Sequence, residues 1–491
     1  LMFLYFVQRK GWVGGDREFV SSYWNAYKVS GRTKDTFFGE WLKPLFFEAF
    51  NNQKSLFNAP QRDYMPPNIR SALMSAPYLN GGLFRESPLD DPGSPFAVSD
   101  MRIDQVLRFL DRYNFTIAED SPLDQEVAVD PEMIGNVYES LVNVSEEANE
   151  RGDAGIFYTP RTEIDLMCRL ALVDNLSNRI GQEHRKLLYE LVFALEPDEK
   201  SQADAAVRDA GQWEKIYEAL KETTVVDPAC GSGSFLVGML HVLDDLQSRT
   251  QKALSISEDF YTRRKRIVGQ SLYGVDVMEW ACHIAELRLW LSLIIDAQFT
   301  REELAVRAEP LLPNFTFNIR CGDSLVEEVA GIDLAHFTES SLSSVIKRRI
   351  TELKEEKAKF YNCDPDCKFR TVQQAEQAER SLFNDIIQDS ITRRQQELAT
   401  IGERPRQGSL LDGFDKPEQK SLAESEIWKQ EREAKQVEID LLRRAQQELS
   451  QRSKVPFVWR IAFAEVFHGD KGGFDIVVGN PPYVRQENIA D

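Results

Sequence analysis

The 491-residue chain has no cysteine framework. Its six cysteines are scattered, so nothing indicates a disulfide scaffold, and a reducing cytoplasm is the fitting compartment. The one close pair, Cys363 and Cys367 in Asn362-Cys363-Asp364-Pro365-Asp366-Cys367, has no second Cys or His pair near it. Structural zinc wants four ligands, so no metal site is expected. Long apolar runs are missing too. The opening stretch Leu1 to Val7 falls far short of the roughly 20 residues a membrane helix needs. Its cations Arg9 and Lys10 follow it, and no small-residue cleavage site comes after, so a buried amphipathic helix is expected there. Positive charge is scarce: 59 Lys and Arg against 79 Asp and Glu leave a net charge of −20, which disfavours nonspecific nucleic-acid binding. Net charge leaves local patches open. The runs Arg263-Arg264-Lys265-Arg266 and Lys347-Arg348-Arg349 are read as solvated helix faces rather than phosphate grips. The sequence holds no convincing Asp…Glu-x-Lys constellation of a metal nuclease.

An apolar content of 42% and a charged content of 28% are those of a soluble globular protein, and the length suggests about three domains. Residues 1–150 read as a mainly helical domain. Phe37-Phe38, Trp41, Leu45-Phe46-Phe47 and Phe50 recur at helical spacing. A turn-rich stretch, Tyr78 to Phe84, interrupts them, and a helix is expected to begin at Asp130-Pro131-Glu132. Residues 151–337 alternate helical segments with short apolar runs that end in an acid, the pattern of a parallel α/β sheet. Residues 338–455 are highly charged, with Ile346, Ile350, Leu353, Leu382, Ile386, Ile439, Leu442 and Leu449 at helical spacing. They read as an inserted hairpin of long helices with a turn-rich tip near 402–419. Residues 456–491 return to the α/β domain.

Two segments carry chemistry. Val225-Val226-Asp227-Pro228-Ala229-Cys230-Gly231-Ser232-Gly233-Ser234-Phe235 reads as strand, glycine-rich turn and helix start. Small residues there let the backbone approach a ligand, and free N–H groups at the helix start can receive a carboxylate. Asp276 ends the next expected strand, where an acid can accept hydrogen bonds from both hydroxyls of a ribose. Its separation from the turn exceeds the usual gap of about 20 residues, and an extra helical segment accounts for the excess. Asp323 ends a third, where it could accept from an adenine amine. Near the end of the chain, Phe474-Asp475-Ile476-Val477-Val478-Gly479 reads as a buried strand that opens into Asn480-Pro481-Pro482-Tyr483. That places an amide, a rigid carbonyl and an aromatic face together, the groups needed to hold a planar base bearing an amine.

With these residues in this order, the chain resembles γ-class N6-adenine DNA methyltransferases, specifically the large kind found in type IIG restriction–modification enzymes and BREX-type phage-defence methylases. Gly155-Ile156-Phe157-Tyr158-Thr159-Pro160 looks like their amino-terminal cofactor motif, and its place before the glycine turn gives the order that defines the γ class. The resemblance implies a Rossmann-like class I methyltransferase sheet, S-adenosyl-L-methionine as cofactor, double-stranded DNA as partner and a prokaryotic cytoplasmic setting. It implies cofactor contacts from Phe157, Tyr158, Thr159, Pro160, Asp227, Pro228, Ala229, Cys230, Gly231, Gly233, Asp276, Val277, Asp323 and Ser324. The catalytic residues implied are Asn480, Pro481, Pro482 and Tyr483.

Because Asn-Pro-Pro-Tyr also serves methyltransferases of RNA bases and protein glutamine amides, those remain alternatives, as does a non-catalytic subunit of a defence complex. The chain also reads as a piece of a longer polypeptide, with the target-recognition region expected beyond residue 491 and other defence subunits as possible partners. A sheet of this kind has about seven strands, so an incomplete one is expected. Its apolar face around Ile476 and Val478 should be exposed and the residues after Pro482 mobile.

Overall fold

The computed structural model describes residues 1–58, 60–79, 82–84, 90, 98–113, 115, 159–325, 328–329, 332–333, 343–403, 417–451, 457–467 and 472–481. The helix expected from Asp130, the last residues after Pro481, and Asn80 and Gly81 lie outside this set. The described chain is mostly helical, with one small parallel sheet and one two-stranded antiparallel pair, Glu328–Val329 with Ile332–Asp333. It divides into two compact units, Leu1–Cys321 with Lys359–Asp366 and Phe474–Asp491, and Gly322–Ala358 with Cys367–Gly473.

The sheet lies in the first unit. Its strands are β1 (Val225–Asp227), β2 (Leu272–Asp276), β3 (Ile319–Cys321) and β4 (Ile476–Val477), in the order β3-β2-β1-β4, all parallel. Helices Ser234–Leu254 and Phe260–Ser271 connect β1 to β2, and Glu279–Ile294 follows β2. All three residues of β1 are buried, which is why its two valines stand side by side without polar alternation. The third strand is shorter than the sequence suggests and stops two residues before Asp323.

β4 joins the sheet from far along the chain, in register with β1 through Val225 opposite Ile476 and Val226 opposite Val477. Asp475 secures that entry. One carboxylate oxygen accepts the Thr224 backbone N–H at 2.9 Å and the Thr224 hydroxyl at 3.0 Å, and the other meets the Arg179 guanidinium at 2.5 Å. The expected exposed apolar face at Ile476 and Val478 is not found. Both side chains are buried in the main core, and Val477 is the exposed one. Successive strand residues point to opposite faces, and the face carrying Ile476 and Val478 is the one turned to the helices.

The opening apolar stretch forms the helix Met2–Arg9, with Phe3 to Val7 all buried. The turn-rich segment joins the rest of this unit through backbone bonds: Leu311 and Leu312 donate to the carbonyls of Tyr78 and Leu79, each at 2.9 Å. The aromatic stripe holds as well, with Phe37, Trp41, Leu45 and Phe50 fully buried.

The basic run at 263–266 is neither a solvated face nor a phosphate grip. Arg263 and Arg264 are buried and share one carboxylate, that of buried Asp244, at 2.6 and 2.8 Å. Arg264 continues to the Ser292 carbonyl, and Arg266 pairs with Glu258 at 2.7 Å. Tertiary packing turned this helix inward, and buried cations persist only when paired. At the other run, Arg348 pairs with Glu352 and Arg349 with Asp385.

The second unit has its own core of Ile346, Ile350, Leu353, Leu382, Phe383, Ile386, Ile439, Leu442 and Leu449. Its helices Val372–Glu403 and Pro417–Gln451 run antiparallel, because Gln388, Arg394 and Glu397 meet Gln446, Glu438 and Lys435 in descending order. Buried Lys357 sits between Glu379 at 2.8 Å and Glu465 at 3.3 Å. Among the described residues no helix is long and apolar enough to cross a membrane.

The shared carboxylate gives a stability prediction. Asp244→Ala takes the paired carboxylate from buried Arg263 and leaves buried Arg264 with Asp296 at 3.3 Å, and should cost about 3–5 kcal/mol. Urea unfolding of the variant checks this. A loss within the scatter of surface substitutions, about 0.5 kcal/mol, would show that the cluster contributes little.

Candidate functional site

In an open α/β sheet, ligands bind beyond the carboxyl ends of the strands, where the strand order reverses. Here the order reverses between β1 and β4, and the residues just past these two strands meet. Gly479 lies so close to Asp227 that a Cβ there would stand 2.6 Å from the Asp227 Oδ1. A side chain at this position would have to displace the Asp227 carboxylate for the chain after β4 to pass at this distance.

The turn itself is built by backbone bonds. Cys230 donates to the Val275 carbonyl at 2.9 Å, and Gly233 to the Cys230 carbonyl at 2.7 Å. Gly233 has φ +80° and caps the helix Ser234–Leu254. A Cβ on it would meet the Ala285 methyl at 2.9 Å, so both conformation and packing demand glycine. Asp276 ties the turn to β2. Its Oδ2 accepts the Gly231 N–H at 2.8 Å, and its Oδ1 accepts the Met278 N–H at 2.8 Å. Each oxygen keeps a second lone pair, so these bonds leave acceptor capacity for ligand hydroxyls. Val277, next in the chain, is 62% exposed, an apolar surface beside that carboxylate.

Asp227 is buried at the bottom of this arrangement. Burial pushes its carboxyl up to about 7, against an opposing bond from the Ala229 N–H, and the Asp276 charge adds to the rise. Burial also raises Asp276, opposed by the N–H groups of Met278 and Gly231. Cys230 is buried and its thiol is pushed well up, so it packs as an apolar side chain. Pro228 and Ala229 complete the turn beside it.

The amino-terminal motif reaches the same place. Thr159 and Pro160 lead into the helix Arg161–Ile180, and the Asn480 Nδ2 donates to the Thr159 Oγ1 at 3.0 Å. Pro481 follows, exposed. The structure thus brings together Thr159, Asp227, Gly231, Gly233, Asp276 and Asn480. Phe157, Tyr158, Pro482 and Tyr483 lie outside the described residues. Asp323 and Ser324 belong to the second unit. There Asp323 accepts the Leu325 N–H at 2.9 Å, and the Ser324 carbonyl accepts the Trp459 indole N–H at 3.0 Å. Among the described residues no cluster of metal-ligating side chains occurs.

Sequence reasoning missed one supporting residue, Arg288. Buried in the apolar helix Glu279–Ile294, it donates to the Ser232 carbonyl and hydroxyl, each at 3.0 Å, and to the Ser234 hydroxyl at 2.9 Å. The clue was a lone cation set in the apolar run Leu287-Arg288-Leu289-Trp290-Leu291, where an unpaired cation would be costly.

Residues 270–491 match the family described as Eco57I restriction-modification methylase. The chain is 27% identical over 513 aligned positions to a Methanocaldococcus jannaschii protein described as a type II restriction enzyme and methyltransferase. That alignment covers 98% of this chain and 40% of the relative. It is 23% identical over 288 positions to DNA methyltransferase A of Bacillus subtilis, covering 58% of this chain and 27% of that protein. This chain therefore spans well under half of either curated relative. Among solved structures, the type IIL restriction-modification enzyme MmeI in complex with DNA is similar at a TM-score of 0.40 and 16% identity, over 78% of this chain and 45% of that one.

The raised acid gives a pH prediction. In the unfolded chain Asp227 ionises near 3.8, while in the folded protein it holds its proton to about 7. The folded state therefore binds the extra proton in this window, and stability falls as pH rises through it. Asp227→Asn keeps the turn's acceptor and removes the charge. Above pH 7 it should be more stable than the parent by on the order of a few kcal/mol, with the difference fading as the pH approaches 4. Unfolding titrations at several pH values measure this, and a pH-independent difference refutes it.

Proposed function

We propose that this chain, which is of the restriction–modification methylase type, holds the cofactor site and catalytic loop of an S-adenosylmethionine-dependent DNA methyltransferase acting on the N6 amine of adenine. The sheet order supports a Rossmann-like class I architecture, since β3-β2-β1-β4 follows the doubly wound order up to its reversal. The observation that carries the reading is the meeting of Thr159, the glycine turn and Asn480 at that reversal.

The donor set fits the proposed cofactor. The N-terminus of the helix Ser234–Leu254 presents N–H groups suited to a carboxylate, Asp276 offers acceptors for two ribose hydroxyls, and Val277 offers an apolar edge for a purine. S-adenosylmethionine supplies an electrophilic methyl group on a sulfonium. Asp323 is proposed to recognise its adenine and Thr159-Pro160 its methionine end, with Phe157, Tyr158 and Ser324 as further proposed cofactor contacts.

The target amine is a poor nucleophile because its lone pair is delocalised into the ring. A base in a duplex also hides it, so adenine is proposed to flip out of the stack. The Asn480 Oδ1 and the Pro481 carbonyl then accept its two N–H bonds. This pulls the nitrogen toward tetrahedral geometry and aims its lone pair outward. The effect is electrostatic positioning without a covalent intermediate. Pro482 stiffens the loop, and Tyr483 stacks on the base, a contact worth roughly 1–3 kcal/mol. Double-stranded DNA and the remaining part of a longer polypeptide are the proposed partners, and target choice is assigned to that remaining part.

Two measurements test this. Asp276→Ala, verified as folded by circular dichroism, should weaken S-adenosylmethionine binding by about 1.5–3 kcal/mol in calorimetry. Unchanged affinity removes Asp276 from the site. In the full-length protein, Asn480→Ala should keep cofactor binding and reduce adenine methylation by orders of magnitude, because Asn480 acts on the base. Near-normal turnover refutes its role. A wild-type protein that binds the cofactor and methylates RNA or glutamine instead selects the alternative substrates, and one that binds no cofactor is a scaffold.

A further inference from the structure

The hydrogen bond between Thr159 and Asn480 joins residues more than three hundred positions apart, and in it the Asn480 amide faces the Thr159 hydroxyl with its nitrogen. An amide has a donor end and an acceptor end of nearly the same shape, and nothing in a strand-to-loop turn distinguishes them. Here the nitrogen is turned to the Thr159 hydroxyl oxygen at 3.0 Å, so the oxygen is the opposite end.

Both partners are unusually constrained. Thr159 precedes Pro160 and Asn480 precedes Pro481, and a residue before proline is held to extended backbone by its neighbour's ring. Pro160 itself is extended, at φ −58° and ψ 149°, at the head of the helix Arg161–Ile180. The same helix holds the start of β4 near its other end, where Arg179 pairs with Asp475 at 2.5 Å. This helix and the two residues leading into it therefore hold the strand that delivers Asn480 at both ends: the guanidinium fixes where the strand enters, and the hydroxyl meets its terminal amide.

We propose that Thr159 is a positioning residue for methyl transfer, holding the Asn480 nitrogen so that the Asn480 oxygen is presented to the target amine. This rests on the proposed adenine methylation. It adds to the cofactor contact implied for the Thr-Pro motif a separate role for the hydroxyl, exercised through Asn480. An amide turned end for end would offer N–H groups to an amine that itself needs acceptors, so orientation governs the rate and not the cofactor affinity.

The test uses the full-length protein, tritiated S-adenosylmethionine at saturation and unmethylated phage DNA in single-turnover reactions, with N6-methyladenine quantified. Thr159→Val, which keeps the shape but cannot accept a hydrogen bond, should slow transfer by about 10- to 100-fold, the scale of a misplaced catalytic group. Thr159→Ser should restore most of the rate. In an Asn480→Ala background, Thr159→Val should add no further loss, because the two residues then act as one unit. Equal rates for wild type and Thr159→Val overturn the inference, as does a full additional loss in the Asn480→Ala background. So does a Thr159→Val defect that is present only below cofactor saturation, since that places the hydroxyl on the cofactor alone. These outcomes are distinct from failure of the functional reading, in which the wild-type protein itself forms no N6-methyladenine and both proposals fall together.

Discussion

The site depends on one carboxylate at the start of a two-residue strand. Asp475 accepts the Thr224 amide and hydroxyl with one oxygen and the Arg179 guanidinium with the other. A strand this short cannot hold its register by ladder bonds alone, and each net hydrogen bond is worth only about 1 kcal/mol. The charge-assisted tie supplies what the ladder lacks. With the entry fixed, four further residues of extended chain carry Gly479 past Asp227 and deliver Asn480 to Thr159.

The second constraint is the glycine turn, which is held from three directions. Asp276 binds its Gly231 amide, Val275 accepts from Cys230, and Arg288 reaches up from the helix beneath to Ser232 and Ser234. Asp276 therefore shapes the turn as well as offering acceptors near it. A buried acid with a raised pKa, Asp227, lies under both features. Perturbed carboxylates of this kind gather where a site has been desolvated in advance of its ligand.

Charge in this chain is spent inside as much as outside. Arg263, Arg264 and Asp244 form a buried group behind the sheet, and Lys357, Glu379 and Glu465 form another within the helical unit. Such clusters add little net stability compared with apolar packing, but they tolerate few alternative arrangements, because any misplacement leaves a bare charge in a poor solvent.

Local chemistry was enough to read much of this from the residues. The acids at the ends of β1 and β2, the glycine turn, the aromatic stripe from Phe37 to Phe50 and the buried positions Ile346, Ile350, Leu353, Leu442 and Leu449 all follow from short-range periodicity and from residues with restricted backbone. Periodicity also fixed that Ile476 and Val478 share a face. It could not say which face, because parity along a strand carries no information about where the helices lie. The basic run at 263–266 misled for the same reason: its cations look solvated until Asp244 is packed against Arg263 and Arg264, and Glu258 against Arg266. Only the tertiary structure decided the partner of Asn480, the bracing of the turn by Arg288 and the hold of Arg179 on Asp475. Each pairs a residue with one distant in sequence, and such pairs are set by the closure of the sheet, which no local pattern encodes.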